Sequence, residues 1–263
     1  MGDDQVKMVV RKKKTVKKEL KILGLILARG GSTGIPGKNI KEFCGKPLIA
    51  RTIECAQNSQ KINRIITSTD SEEIAAIAKQ YGSEVPFMRP SHLSQKLSRG
   101  FELYRYVISK LKADERYEPD IVCILLPTCP CKGSQDIDDS ITKLIDTRCD
   151  WVFTICPVEH HPQRFFVLDG DRMHPYVNEP NTVIWGNRQE LPALYRMSGA
   201  AIVTWRKHIE NNEEYNIDNV RYKKTDVRYI ITPHERAMDI DTPLDFTLAE
   251  EVFKNLYVKE GTL

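Results

Sequence analysis

Residues 25–49 read LILARGGSTGIPGKNIKEFCGKPLI, an apolar run that breaks into a glycine-rich basic segment and resumes with apolar residues at helical spacing. The run begins at Ile22, so residues 22–28 are predicted as a buried strand and residues 47–57 as a helix with Pro at its start. Between them, Gly30, Gly31 and Gly34 leave backbone N–H groups uncovered, while Arg29 and Lys38 add positive charge. A loop of that kind between strand and helix suits polyphosphate. It is not a Walker A loop: Ser32 stands where the first glycine belongs, and Asn39 where the magnesium-binding hydroxyl belongs. Nor is it the dinucleotide fingerprint, because Gly30 and Gly31 are adjacent. Glycines alone would specify only a turn. Two cations and Asn39 on the same short loop point to phosphate.

Outward from this loop, β-branched and helical patterns alternate. Strands are expected at 63–69, 85–88, 121–126 and 151–155, with helices capped by Ser71 and Ser134 and another over 101–111. That alternation predicts a mostly parallel α/β sheet covered on both faces, with ligands bound at the C-terminal ends of the strands. From Arg164 to Leu194 the rhythm is lost, and Asp169-Gly170 marks a hairpin-like turn. A segment this long reads as a lid or as an arm that packs on another subunit. Strands at 200–204 and 227–231 and a closing helix over 243–256 complete the chain.

The 263 residues suffice for one domain, divided here into a basic tail (1–21) and a single domain (22–263) with the arm 164–194 inserted. No apolar run approaches membrane-spanning length, and no apolar segment follows the N-terminal charges, so neither a membrane span nor a secretory signal is expected. Seven cysteines without a Cys-x-x-Cys pair suggest buried thiols in a reduced, cytoplasmic protein. The net charge of +3 misleads, because residues 1–21 carry a surplus of five positive charges and leave the remainder at −2. The domain is therefore not a nucleic-acid binder. The run RKKKTVKK (11–18) is a solvated tail unless it serves as a nuclear-import signal.

Before the closing helix stands MDIDTPLDF. Asp239 and Asp241 are two apart and point the same way on extended backbone. Paired carboxylates beside a phosphate loop repel unless a cation joins them, and Mg2+ held by one or two carboxylates plus phosphate is the natural partner. The alternative is that Asp241 or Thr242 caps the helix, as Pro243 in its first turn suggests.

Taken in order, LILARGGSTGIPGKNIKEFCGKPLI, IITSTDSEEIAAIAKQYG, LLPTCPCKG, CPVEHHPQRF, YRMSGA and DIDTPLD resemble the acylneuraminate cytidylyltransferases, which make CMP-sialic acid and related CMP-nonulosonates. The likeness runs from Ile22 to the C-terminus. It implies a three-layer nucleotide-binding sandwich of the nucleotide-diphospho-sugar transferase type, homodimeric through the arm. It also implies attack of the anomeric hydroxyl of a nine-carbon keto-acid sugar on the α-phosphate of CTP. Carried over by position, Arg29 and Lys38 would hold the phosphates, with Asn39 and Arg89 near cytosine. Asp239 and Asp241 would bind Mg2+, and Asp241 would also serve as base. Arg164 and Arg188 would reach the partner's sugar site, and Arg196 would stand at the entry of the sugar-side strand. His160-His161, read as facing opposite ways on a strand, fall outside the catalytic set.

Departures from the family pattern cluster on the sugar side. Leu126 replaces a sugar-binding glutamine, Ser198 replaces an asparagine, and Ile202 falls where an aromatic hydroxyl is common. Thr33 replaces a lysine, and Lys96-Leu97 replaces a frequent Asp-Thr step. A site with fewer amides and hydroxyls should reject a sugar whose polar groups lose partners, so ordinary N-acetylneuraminate is not the expected substrate. The rival readings are a synthetase of the CMP-Kdo type and a catalytically idle nucleotide-binding paralogue, the latter motivated by Thr33 and Leu126.

Overall fold

A computed structural model describes residues 19–32, 34–95, 100–177, 187–211 and 225–258. The basic run 11–18, Thr33, Lys96-Leu97 and Trp185 lie outside the described residues. The chain opens with β1 (Ile22–Leu27), the small hairpin β2 (Glu42–Phe43) and β3 (Lys46–Pro47), and helix α1 (Leu48–Gln57). There follow β4 (Arg64–Ser68), α2 (Glu72–Gln80), α3 (Gly100–Glu115), β5 (Ile121–Leu125), α4 (Ser134–Thr147) and β6 (Trp151–Pro157). The segment after β6 carries the hairpin β7 (Phe166–Asp169) and β8 (Arg172–Pro175), turning at Gly170 with φ +63°. Strand β9 (Tyr195–Trp205), α5 (Arg206–Glu210), β10 (Val227–Ile231) and α6 (Pro243–Phe253) complete the described elements.

Six strands form one sheet in the order β10-β6-β9-β5-β1-β4. Every neighbouring pair is parallel except those of β9, which runs antiparallel to both β5 and β6. Alternation along the strands sorts the core into two layers. Ile22 and Ile26 of β1, with Ile121, Cys123 and Leu125 of β5, pack with Ile53, Ile74 and Ile141 of α1, α2 and α4. Leu23, Leu25, Val122 and Ile124 pack on the other side with Val107 and Leu111 of α3. This is the expected three-layer sandwich. A third cluster (Phe43, Leu48, Ile240, Phe246, Phe253) seats α6 against the small hairpin, Phe43 meeting Phe246 and Phe253 edge-on at 5.5 and 5.3 Å.

The chain connects β1 to β4 on one side and then crosses to β5 on the other, so the ends of β1 and β5 flank a topological switch point. Several local expectations require correction. Residues 85–88 form no strand: Glu84 makes a single bridge to Ile66, and Pro86, which lacks an N–H, ends the pairing. The Arg89 N–H then reaches the Thr69 carbonyl at 2.7 Å. Ser134 is the first residue of α4 rather than its cap; the N-cap is Gly133, whose N–H donates to the Asp136 carboxylate at 2.9 Å. Strand β9 starts five residues before the predicted 200. Helix α6 ends at Phe253 and passes into a π turn, Lys254–Val258. His160 and His161 follow the end of β6 in a bend, where the His161 ring accepts from the Gln163 N–H at 3.3 Å.

Candidate active site

A cleft of about 530 Å³ opens beyond the C-terminal ends of β1 and β5. Arg29, Ser32, Gly34, Lys38 and Asn39 line it from the glycine loop, Arg89 from the segment after α2, Thr128 from the turn after β5, and Asp241 from the approach to α6. Internal bonds give the loop its shape. The Asn39 amide donates to the Arg29 carbonyl at 2.9 Å, and the Gly30 N–H donates to the Asp70 carboxylate at 2.9 Å. Gly37 takes the left-handed conformation (φ +63°) that starts the short 3-10 turn at Lys38.

Lys38 joins this loop to the acidic segment. Its side chain is nearly buried, its Nζ donating to the Ile240 carbonyl at 2.5 Å and lying 3.5 Å from Asp241 Oδ1. Arg89 is also buried, donating to the carbonyl and hydroxyl of Ser68. Burial brings its pKa down to about 10, Asp70 opposing and Arg29 reinforcing the change, so it stays cationic at neutral pH.

The acidic pair owes its direction to the residue between its members. Ile240 is fully buried in the phenylalanine cluster, and its N–H donates to the Thr128 carbonyl at 2.9 Å. Asp239 and Asp241 are thereby turned outward. Neither caps the helix. Thr242 is the N-cap, and Asp245 accepts from the N–H groups of Asp241 (3.1 Å) and Thr242 (2.7 Å), which leaves the Asp241 carboxylate out of the capping box.

Local desolvation pushes the Asp239 carboxyl above its ordinary value, and the Asp241 charge adds to this; a hydrogen bond from Thr128, Lys38 and Arg196 pull the other way. A carboxylate whose ionisation a neighbouring carboxylate disfavours forms, with that neighbour, a donor set that a divalent cation fits. Among the described residues no group of three or more His, Cys, Asp or Glu side chains could hold a metal ion. A two-carboxylate site would leave its remaining positions to water and phosphate, as Mg2+ requires.

The residues assigned to the sugar lie outside this cleft. Arg196 is clamped to Glu159, its Nη2 2.5 Å from Oε1. Leu126 is half-buried, its Cδ1 3.8 Å from where a Cβ on Gly199 would sit. Ser198 is buried, and its hydroxyl has no partner among the described residues. Arg164 is exposed just before β7, and Arg188 opens a short 3-10 turn, Arg188–Glu190, that leads back toward β9. Sequence reasoning missed Asp70, Thr128, Asp245 and Lys132. The Thr242–Asp245 spacing is a capping-box signal that was available. Nothing in the sequence marks Lys132, whose buried Nζ donates to the Leu126 and Cys129 carbonyls (2.9 and 2.5 Å) and the Thr52 hydroxyl (2.9 Å), fixing the turn that carries Thr128.

The chain as a whole has counterparts among known proteins. The family model described as cytidylyltransferase matches residues 23–259. The chain belongs to the cytidylyltransferase family. A pseudaminic acid cytidylyltransferase of Campylobacter jejuni is 30% identical over 242 residues, covering 89% of this chain and 97% of the relative. A CMP-N,N'-diacetyllegionaminic acid synthase of Legionella pneumophila is 29% identical, with the same two coverages. Among solved structures, a CMP:2-keto-3-deoxy-manno-octonic acid synthetase complexed with CTP superposes with a TM-score of 0.66 at 16% identity, covering 90% of this chain and 100% of that one. This cytidylyltransferase therefore shares the sandwich fold of that enzyme, and no described helix is long and apolar enough to cross a membrane.

Proposed function

We propose that this cytidylyltransferase transfers CMP from CTP to the anomeric hydroxyl of a sialic-acid-like nonulosonic acid and releases pyrophosphate. The observation that carries the reading is the Lys38 bridge, which fastens the glycine loop to Ile240 and Asp241, with Asp241 lining the same cleft. The names of the two bacterial relatives support the class of sugar.

In this reading Arg29 and Lys38 neutralise and orient the triphosphate, while Asn39 and Arg89 take the cytosine end. Asp239 and Asp241 hold Mg2+, which when bound supplies further neutralisation of phosphate charge. Asp241 accepts the proton of the anomeric hydroxyl as its oxygen bonds to the α-phosphorus and the bond to the departing pyrophosphate breaks. Phosphoryl-type transfer asks for positioning and charge more than for covalent help, and these side chains supply that.

The sugar carries an apolar feature where Leu126 stands. A polar group facing that side chain would be desolvated without a partner, at about 1–3 kcal/mol. Deoxygenated bacterial-type nonulosonates meet this condition better than N-acetylneuraminate. Arg164 and Arg188 act in the sugar site of a second copy, and the chain works as a homodimer. Support for the dimer comes from the arm, where Leu168 (75% exposed), Tyr176 (66%) and Met173 (58%) present uncovered apolar surface. The cytoplasm is the fitting compartment, since all seven cysteines are unpaired thiols.

The test is pyrophosphate release with CTP and Mg2+ across a panel of ulosonic acids, with the Leu126→Gln variant run beside the unaltered protein. The reading expects a deoxygenated nine-carbon acid to be used best and Leu126→Gln to improve relative use of N-acetylneuraminate. Preference for an eight-carbon acid would favour the Kdo-type activity. Absence of turnover with every acid would leave an idle nucleotide binder.

A further inference from the structure

Glu159 stands where three parts of the chain meet. It follows β6, faces Arg196 on β9, and lies 3.4 Å from His234 in the connection that runs from β10 to Asp239. Arg196 meets its carboxylate along one edge: Nε lies 3.2 and 3.1 Å from the two oxygens, and Nη2 lies 2.5 Å from Oε1. Nη2 also reaches the Ala237 carbonyl at 3.5 Å, two residues before Asp239, and Nη1 donates to the Met197 carbonyl at 3.2 Å. Arg196 in turn holds the Glu159 carboxyl down to about 2, so the pair remains ionised at any working pH.

The pair is too exposed to be explained by stability, with side-chain exposures of 35% for Arg196 and 49% for Glu159. What it fixes is direction. A free arginine side chain samples many rotamers, whereas one held along its Nε–Nη2 edge has a defined plane. In that plane the guanidinium lies within the electrostatic reach of Asp239, and Nη1 retains a second N–H for a ligand. An α-keto acid carries its carboxylate on the carbon that bears the reacting hydroxyl, so a guanidinium fixed beside the acidic pair can orient that hydroxyl through the carboxylate.

We propose that Glu159 is a positioning residue for the sugar acid, holding the Arg196 guanidinium beside Asp239 so that it meets the substrate carboxylate. The proposal rests on the transfer reading above. The experiment measures pyrophosphate release for the full chain and for Glu159→Gln, Glu159→Asp, Arg196→Lys and the Glu159→Gln/Arg196→Lys double variant. Glu159→Gln should raise KM for the sugar acid about tenfold, with kcat changed by less than about threefold and KM for CTP and Tm unchanged. Glu159→Asp should recover much of that loss. Because Glu159 acts through Arg196, the double variant should be no worse than Arg196→Lys alone. Additive losses, an unchanged sugar KM, or an equal rise in KM for CTP would overturn the positioning role, as would a Tm loss that accounts for the activity lost. If the unaltered protein turned over no ulosonic acid, the transfer reading would fall and this role with it; activity in the unaltered protein with additive losses would remove this role alone.

Discussion

Gly34 and Asp241, far apart in sequence, meet so closely that a Cβ on Gly34 would overlap the Asp241 carbonyl oxygen. The obstacle is backbone, which cannot swing aside as a side chain can. Gly34 is thus what allows the glycine loop and the acidic segment to share one wall of the cleft.

Gly34→Ala should therefore displace the segment carrying Asp239 and Asp241, at a cost of about 1–3 kcal/mol in stability. Pyrophosphate release should fall at least tenfold, more than the small drop in Tm would explain. Unaltered activity would show that the loop and the acids need not touch.

Asp239→Asn and Asp241→Asn should each lower kcat more than a hundredfold while preserving the fold, about 3 kcal/mol of transition-state stabilisation. Since Thr242 and Asp245, not Asp241, form the capping box, Tm should not fall in the Asp241 variant. Near-normal turnover of both variants at saturating Mg2+ would remove the metal assignment.

Much of this arrangement was legible in the sequence because periodicity and turn chemistry report local structure. The alternation around Ile22–Leu27, the Ser71 cap and the Asp169-Gly170 turn all follow from neighbours in the chain. The exposure of both Asp239 and Asp241 was equally readable, since the buried Ile240 between them turns them outward. Contacts made across the fold were not. Lys132 reads as an ordinary surface lysine until Leu126, Cys129 and Thr52 are seen to surround its Nζ. Glu159 lies in a motif whose histidines drew attention, and its partner Arg196 is 37 residues away. Residues 85–88 have strand composition, but Pro86 and the route to Arg89 overrode it.

His208 makes a prediction about pH. It is buried, with Nε2 3.1 Å from Asp150, and desolvation lowers its pKa to about 4 despite the attraction of that carboxylate. An unfolded histidine titrates near 6.5, so between about pH 6.5 and pH 4 the unfolded chain binds the extra proton and the folded chain does not. Stability is complete above that window and declines as pH falls through it. Unfolding free energies from urea titrations at pH 7 and pH 5 should differ by on the order of 1 kcal/mol, with Asp150 and solvent screening offsetting part of the effect. His208→Gln should flatten that dependence, and an equal slope in the variant would assign it to other groups.

The arm should bury its apolar residues against a second copy. Light scattering is expected to report a dimer, and Leu168→Asp should shift it to monomer with loss of activity, because Arg164 and Arg188 would no longer reach a partner. A monomer with full activity at high dilution would contradict the shared site.

The central claim is that the anomeric oxygen attacks the α-phosphate of CTP. Mass spectrometry of the products formed from CTP and a nonulosonic acid carrying 18O at its anomeric hydroxyl tests it most directly. The account predicts a CMP-sugar that retains the label in its bridging oxygen, together with unlabelled pyrophosphate. A CMP-sugar without the label, or label in pyrophosphate, would contradict it.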